Sequence, residues 1–173
     1  MRDKLRKRYQ VDKEINRNGS FEGEIALSDL ERLGELLYPG REANSHGKVN
    51  LEFAFSRNEL GVPMISGQIR TRLDLECQRC LQALDWPLEL DFRLMIDASD
   101  ELVQNSSVDT LYSDEGFIDI VEVVEDELIL AIPFVVMHED TACNESWRPA
   151  ESAPEPARQD NPFSVLQQLK TTD

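Results

Sequence analysis

"VNLEFAFSRNELGVPMISGQIRTRLDLEC" (residues 49–77) alternates apolar and polar side chains twice over, with one short break between the two runs. In the first run Val49, Leu51, Phe53 and Phe55 share a face, and Asn50, Glu52 and Ser56 take the other. In the second, Ile65, Ile69, Leu73, Leu75 and Cys77 oppose Ser66, Gln68, Arg70, Arg72, Asp74 and Glu76. Successive side chains of a strand point to opposite faces, so this pattern marks two strands with one dry and one wet side. Asn58, Glu59, Leu60 and Gly61 in the break are hairpin-turn residues, which sets the two strands antiparallel. A third run, Leu88, Leu90, Phe92, Leu94 and Ile96 against Glu89, Asp91, Arg93 and Asp97, extends the meander. The fold class that follows is α+β: an antiparallel β meander, or sheet, covered on one face by helices.

The main cover is a helix starting after Asp119, an N-cap with Glu122 three residues on, and stopped by Pro133. Ile120, Val121, Val124, Leu128, Ala131 and Ile132 make its apolar face, from which Glu122, Glu125 and Asp126 are expected to point away. Glu127 instead falls inside the apolar arc, so it reads as a buried acid that must snorkel, find a partner such as Arg79, or take a raised pKa. A shorter stripe, Leu30, Leu33, Leu36 and Leu37, follows a strand at residues 20–27. Ser28 and Glu31 before it have the spacing of a capping box.

Charge divides the chain. Of 173 residues, 18 are Lys or Arg and 34 are Asp or Glu, for a net charge of −16. Residues 1–17 hold seven basic against three acidic side chains, +4, so the remainder carries −20. Such a body repels nucleic-acid phosphates, excludes a DNA-binding reading, and favours a basic protein partner, with direct RNA contact confined to a local basic patch or the N-terminal arm. The domain reading is a basic arm (residues 1–19), one α+β domain (20–138), a flexible acidic Pro/Ala-rich linker (139–160) and a short C-terminal helix (161–173). Asn161 and Pro162 open that last helix, and Phe163, Leu166 and Leu169 form a docking face. No run reaches the roughly 18 apolar residues of a membrane span, and the charged N-terminus lacks a signal-peptide core, so the expected location is the cytoplasm without membrane attachment.

Two of the three cysteines, Cys77 and Cys80, stand two residues apart where the second strand runs out. His138 and Cys143, just past the helix, supply the other half of a metal set by spacing, and three thiolates with one imidazole would close a structural zinc site. Cys77 also lies on the apolar face of its strand, where a reduced cysteine can serve as a small core residue, so the spacing leaves both readings open. There is no Gly-rich phosphate loop and no G-x-S-x-G elbow. Glu125, Asp126 and Glu127, on consecutive helix positions, do not converge on one ion.

"LECQRCL" (residues 75–81), "VEDELILAIPFVVMHEDTAC" (124–143), "NPFSVLQQLK" (161–170) and "FEGEIALSDLERL" (21–33) resemble the YceD family of large ribosomal RNA subunit accumulation proteins. The resemblance implies a factor needed for synthesis, processing or stability of 23S rRNA, with no enzymatic activity. Its partners would be the large-subunit rRNA precursor or ribosome-assembly proteins. Arg70 and Arg72 on the wet face of the second strand, with Arg79 in the cysteine turn, are the candidate RNA or partner contacts; alternatively Arg70 and Arg72 pair with Glu89 and Asp91 across the sheet. Two other readings are a metal-dependent nuclease acting on precursor rRNA and a protein adaptor unrelated to ribosomes.

Overall fold

The alternating runs become the centre of a six-stranded sheet in the computed structural model, which describes residues 3–40, 47–97 and 107–144. They form β4 (Lys48–Arg57), β5 (Pro63–Glu76) and β6 (Ala83–Ile96), antiparallel throughout. Asn58 builds the β4–β5 turn: its carboxamide oxygen accepts from the Leu60 and Val62 N–H groups, and Gly61 takes a φ of 80° that favours glycine. β6 begins five residues earlier than its alternation indicates, because it continues the β5 ladder down to the pair Glu76–Ala83. On the outer side of β4 lies β3 (Ser20–Ala26), also antiparallel. Two short strands, β1 (Asp3–Lys4) and β7 (Asp109–Leu111), pair in parallel at the edges, giving the order β1-β3-β4-β5-β6-β7. The mixed α+β class therefore holds, with a mostly antiparallel sheet.

Residues read from charge alone as an arm are instead woven into the fold. β2 (Arg8–Gln10) pairs with β8 (Phe117–Asp119) as a second small sheet, and α1 (Val11–Asn16) follows at once. Tyr9 carries the burial: its ring meets Phe21 at 4.5 Å and Phe53 at 5.3 Å, both edge-on, a geometry aromatic quadrupoles favour. Glu14 of α1 is buried and takes Arg6 at 2.9 Å and Arg17 at 2.5 Å, and both guanidinium groups lie over the Phe21 ring. Charge in this segment is thus spent on internal pairing, which offsets the cost of burying a carboxylate.

The cover helix is α3 (Ile120–Ala131), capped by the Asp119 carboxylate, which accepts from the Val121 N–H at 2.9 Å. Ile120, Val123, Val124 and Leu128 are buried from this helix. Its fully buried acid is Glu125, not Glu127. The helical arc alone favours Glu127, but α2 (Glu31–Gly34) packs on the side of α3 where Glu125 lies. Glu125 accepts from the Leu33 backbone N–H at 3.1 Å and from Arg32 Nε at 2.9 Å. The expected Ser28 cap does not form: Ser28 sits in a 3-10 turn, Leu27–Asp29, and α2 starts after Leu30, its first-turn Leu33 N–H being satisfied by Glu125. Glu127 is partly buried and pairs with no described residue; burial, then Asp109 and Asp126, push its carboxyl up.

The chain divides into two compact units, Met1–Glu139 and Asp140–Asp173. In the second, described to residue 144, Asp140 caps a 3-10 turn, Thr141–Cys143, accepting from the Ala142 N–H at 2.8 Å. Most of the expected linker and all of the expected C-terminal helix, with Phe163, Leu166 and Leu169, lie outside the described residues.

Strand crowding gives a direct test. A Cβ on Gly67, at the centre of β5, would stand 2.2 Å from the Glu52 backbone oxygen and 2.7 Å from Phe53 Cβ, whereas one on Gly34 would meet nothing within 4 Å. Gly67→Ala should lower stability by about 1–3 kcal/mol or more, while Gly34→Ala in α2 should be neutral or gain about 0.5–1 kcal/mol. Urea midpoints of the two variants check this, and equal midpoints would contradict the register.

Candidate metal centre

The β5 ladder ends at Glu76, and the next four residues turn the chain back. Cys77 N–H donates to the Gln82 carbonyl at 2.9 Å, and Leu81 N–H to the Cys77 carbonyl at 2.8 Å, with Leu81 at a φ of 58°. The segment after α3 is strapped to this turn. Gln78 donates twice, from its backbone N–H to the Val136 carbonyl and from Nε2 to the Phe134 carbonyl, both at 2.9 Å. Arg79 Nη2 donates to the His138 carbonyl at 2.5 Å, and the His138 N–H donates to Cys77 Sγ at 3.4 Å. Pro133 ends the helix and Val136 buries itself, so the strap delivers His138 to the cysteines.

His138 Nδ1 lies 3.4 Å from Cys80 Sγ. Two ligands of a tetrahedral zinc, one sulfur and one nitrogen, stand about 3.6 Å apart when their bonds are about 2.3 and 2.05 Å. The ligand atoms of Cys77, Cys80 and His138 all fall within 4.8 Å of one another. Burial pushes the Cys77 thiol up, but N–H groups of Cys80, His138 and Arg79 and the Cys80 side chain outweigh it and lower the pKa to about 5. At neutral pH that sulfur is a thiolate, the form that binds metal. Cys143 follows His138 by five residues, and the chain thereby offers a Cys3His group that could hold a metal ion. All three cysteines are free of disulfides.

The expected arginine contacts are all engaged within the protein. Arg70 Nε meets Glu89 at 2.9 Å, Arg72 forms a bidentate pair with Asp85 rather than Asp91, and Asp91 accepts from Gln68. Both guanidinium groups are held above their usual pKa, by the Glu89 and Asp85 hydrogen bonds first. Arg79 serves the strap and does not reach Glu127. Sequence reasoning missed Lys48, which joins Arg70 and Arg72 around a cavity of about 450 Å³ also lined by Gly47, Asn50 and Thr71. The signal was available: with Asn50 opposite Arg70, the register sets Lys48 opposite Arg72.

Fold and site define a small α+β protein carrying a Cys/His group that could take a metal ion. Among the described residues no helix is long and apolar enough to cross a membrane. The family model for "Large ribosomal RNA subunit accumulation protein YceD" matches residues 65–170. A Haemophilus influenzae protein of that same description is 34% identical over 169 residues, covering 91% of each chain. No solved structure matches. The chain belongs to the YceD family of large ribosomal RNA subunit accumulation proteins.

The Cys77 shift sets a pH signature in the chelator-treated protein. Its folded pKa, about 5, lies below the ordinary 9.0, so its contribution is complete above about pH 9 and declines as pH falls to about 5. The difference in urea midpoint between wild type and Cys77→Ala should therefore shrink between pH 8 and pH 4.5. A constant difference would show that the thiol is not held as a thiolate.

Proposed function

We propose that this protein is a non-enzymatic binding factor for the accumulation of large-subunit 23S rRNA, acting in the cytoplasm, with a structural metal ion clipping its cysteine turn to the strap. The family supports the rRNA role. The observation that carries the clip is the 3.4 Å approach of His138 Nδ1 to Cys80 Sγ, with Cys77 Sγ within 4.8 Å of both. Cys143, tethered five residues from His138, is the fourth ligand of this reading. Three thiolates and an imidazole fill a tetrahedral ion, leaving no position for a substrate or an attacking water, which is why the nuclease reading is not preferred.

The binding reading rests on charge. A net −16 favours a basic protein, such as a ribosomal or assembly protein, over bare RNA. In the N-terminal segment β2 pairs with β8, and buried Glu14 holds Arg6 and Arg17, so it is not a free cationic arm. RNA contact, where it occurs, falls to Arg70, Arg72 and Lys48. Their ion pairs are solvent-exposed and screened, so phosphate can compete for these cationic groups.

Depleting the protein and measuring large- against small-subunit rRNA tests the proposal. The ratio should fall and be restored by the wild-type gene; an unchanged ratio would refute it.

A further inference from the structure

We infer that the outer ridge of α3 and the strap after it form a docking surface for a basic segment of another protein that carries apolar anchors. The inference deepens the protein-partner reading above and rests on it. Glu122, Asp126 and Leu130 follow one another at intervals of four, which places them in one row along the helix, and Phe134 continues past its end. The far end of this row is apolar and open: Leu130 is 78% exposed, Phe134 fully so, Val135 57% and Met137 44%. This exposure is built into the backbone. Gln78 pins the carbonyls of Phe134 and Val136, and Val136 is buried while Phe134, Val135 and Met137 around it stay in solvent. Apolar groups held in water by a fixed backbone mark an interaction surface more than a packing accident.

The other end of the row is a groove of about 340 Å³ whose walls include Tyr112, Phe117, Glu122 and Asp126. Arg8 already lies over the Phe117 ring at 5.2 Å with Asp114 beside it, so this wall accepts a guanidinium group. Charge fixes the class of occupant. Residues 117–144 contain seven acidic side chains and no lysine or arginine. Arg32 answers Glu125 and Asp126, and Lys7 answers Asp119, but Glu122, Glu127 and Glu139 have no ion-pair or hydrogen-bond partner among the described residues. Glu127 sits one turn before Leu130, and a cation from a partner would relieve the repulsion it feels from Asp109 and Asp126. A second copy of this acidic chain would add like charge, which disfavours it as the occupant.

The test titrates the purified full-length protein with three synthetic amphipathic peptides, Leu/Lys, Ser/Lys and Leu/Glu, read by fluorescence anisotropy. The Leu/Lys peptide should bind best. Phe134→Ser and Leu130→Ser should each weaken it about tenfold or more, and Glu122→Lys should weaken it and flatten its salt dependence. Leu60→Ser, equally exposed but on the β4–β5 hairpin, should leave binding unchanged. Equal binding of Ser/Lys and Leu/Lys, or equal loss with Leu60→Ser, would overturn the proposal. Self-association abolished by Phe134→Ser would assign the surface to a second copy, and binding gained only on Leu166→Ser would assign it to the chain's own C-terminal segment; either result also overturns it. The rRNA ratio is read in depleted cells and this titration on purified protein, so the two readings can fail separately.

Discussion

Seating α3 on the sheet carries a carboxylate into the core, and the molecule is organised around neutralising it. Glu125 is 6% exposed and would be costly there without partners. It takes the Leu33 amide and the Arg32 guanidinium, so α2 and α3 are joined by charge-assisted bonds as well as by packing. Removing the carboxylate would leave a buried amide unsatisfied at about 1–3 kcal/mol, a large share of a small domain's stability. The seat of α3 fixes where the helix ends, the end fixes the strap, and the strap fixes His138 against the cysteine turn.

The N-terminal segment supports the same helix from its other end. Ile120 N–H donates to the Lys7 carbonyl at 2.9 Å, and β2 pairs with the strand that leads into α3. Buried Glu14, with the partly exposed Arg6 and Arg17 that pair with it, holds that segment on Phe21. Several basic side chains that look available in the sequence are thus engaged within the fold: Arg6 and Arg17 with Glu14, and Lys7 with the Asp119 cap of α3.

Legibility in the sequence followed the physical range of each signal. β4, β5 and β6 were legible because alternation is local, and the β4–β5 turn because Asn58 and Gly61 act within four residues. Cys77, Cys80 and His138 were legible as a set through ligand spacing, and the strap that brings them together leaves no local pattern. The parallel edge strands β1 and β7, three residues or fewer, carry no pattern to read. Glu125 was misjudged in favour of Glu127 because a helical arc says which residues share a face and not which side a neighbouring helix will occupy. The basic N-terminus was misread because net charge conceals a pairing that depends on one buried glutamate eight residues from Arg6.

Metal clipping of the cysteine turn to the strap is measured most directly by X-ray absorption at the zinc edge of the full-length protein, purified without chelator. One zinc per chain is expected, with three sulfur neighbours at about 2.3 Å and one nitrogen at about 2.0 Å. Metal-free protein, or a zinc shell built mainly of oxygen, would contradict it.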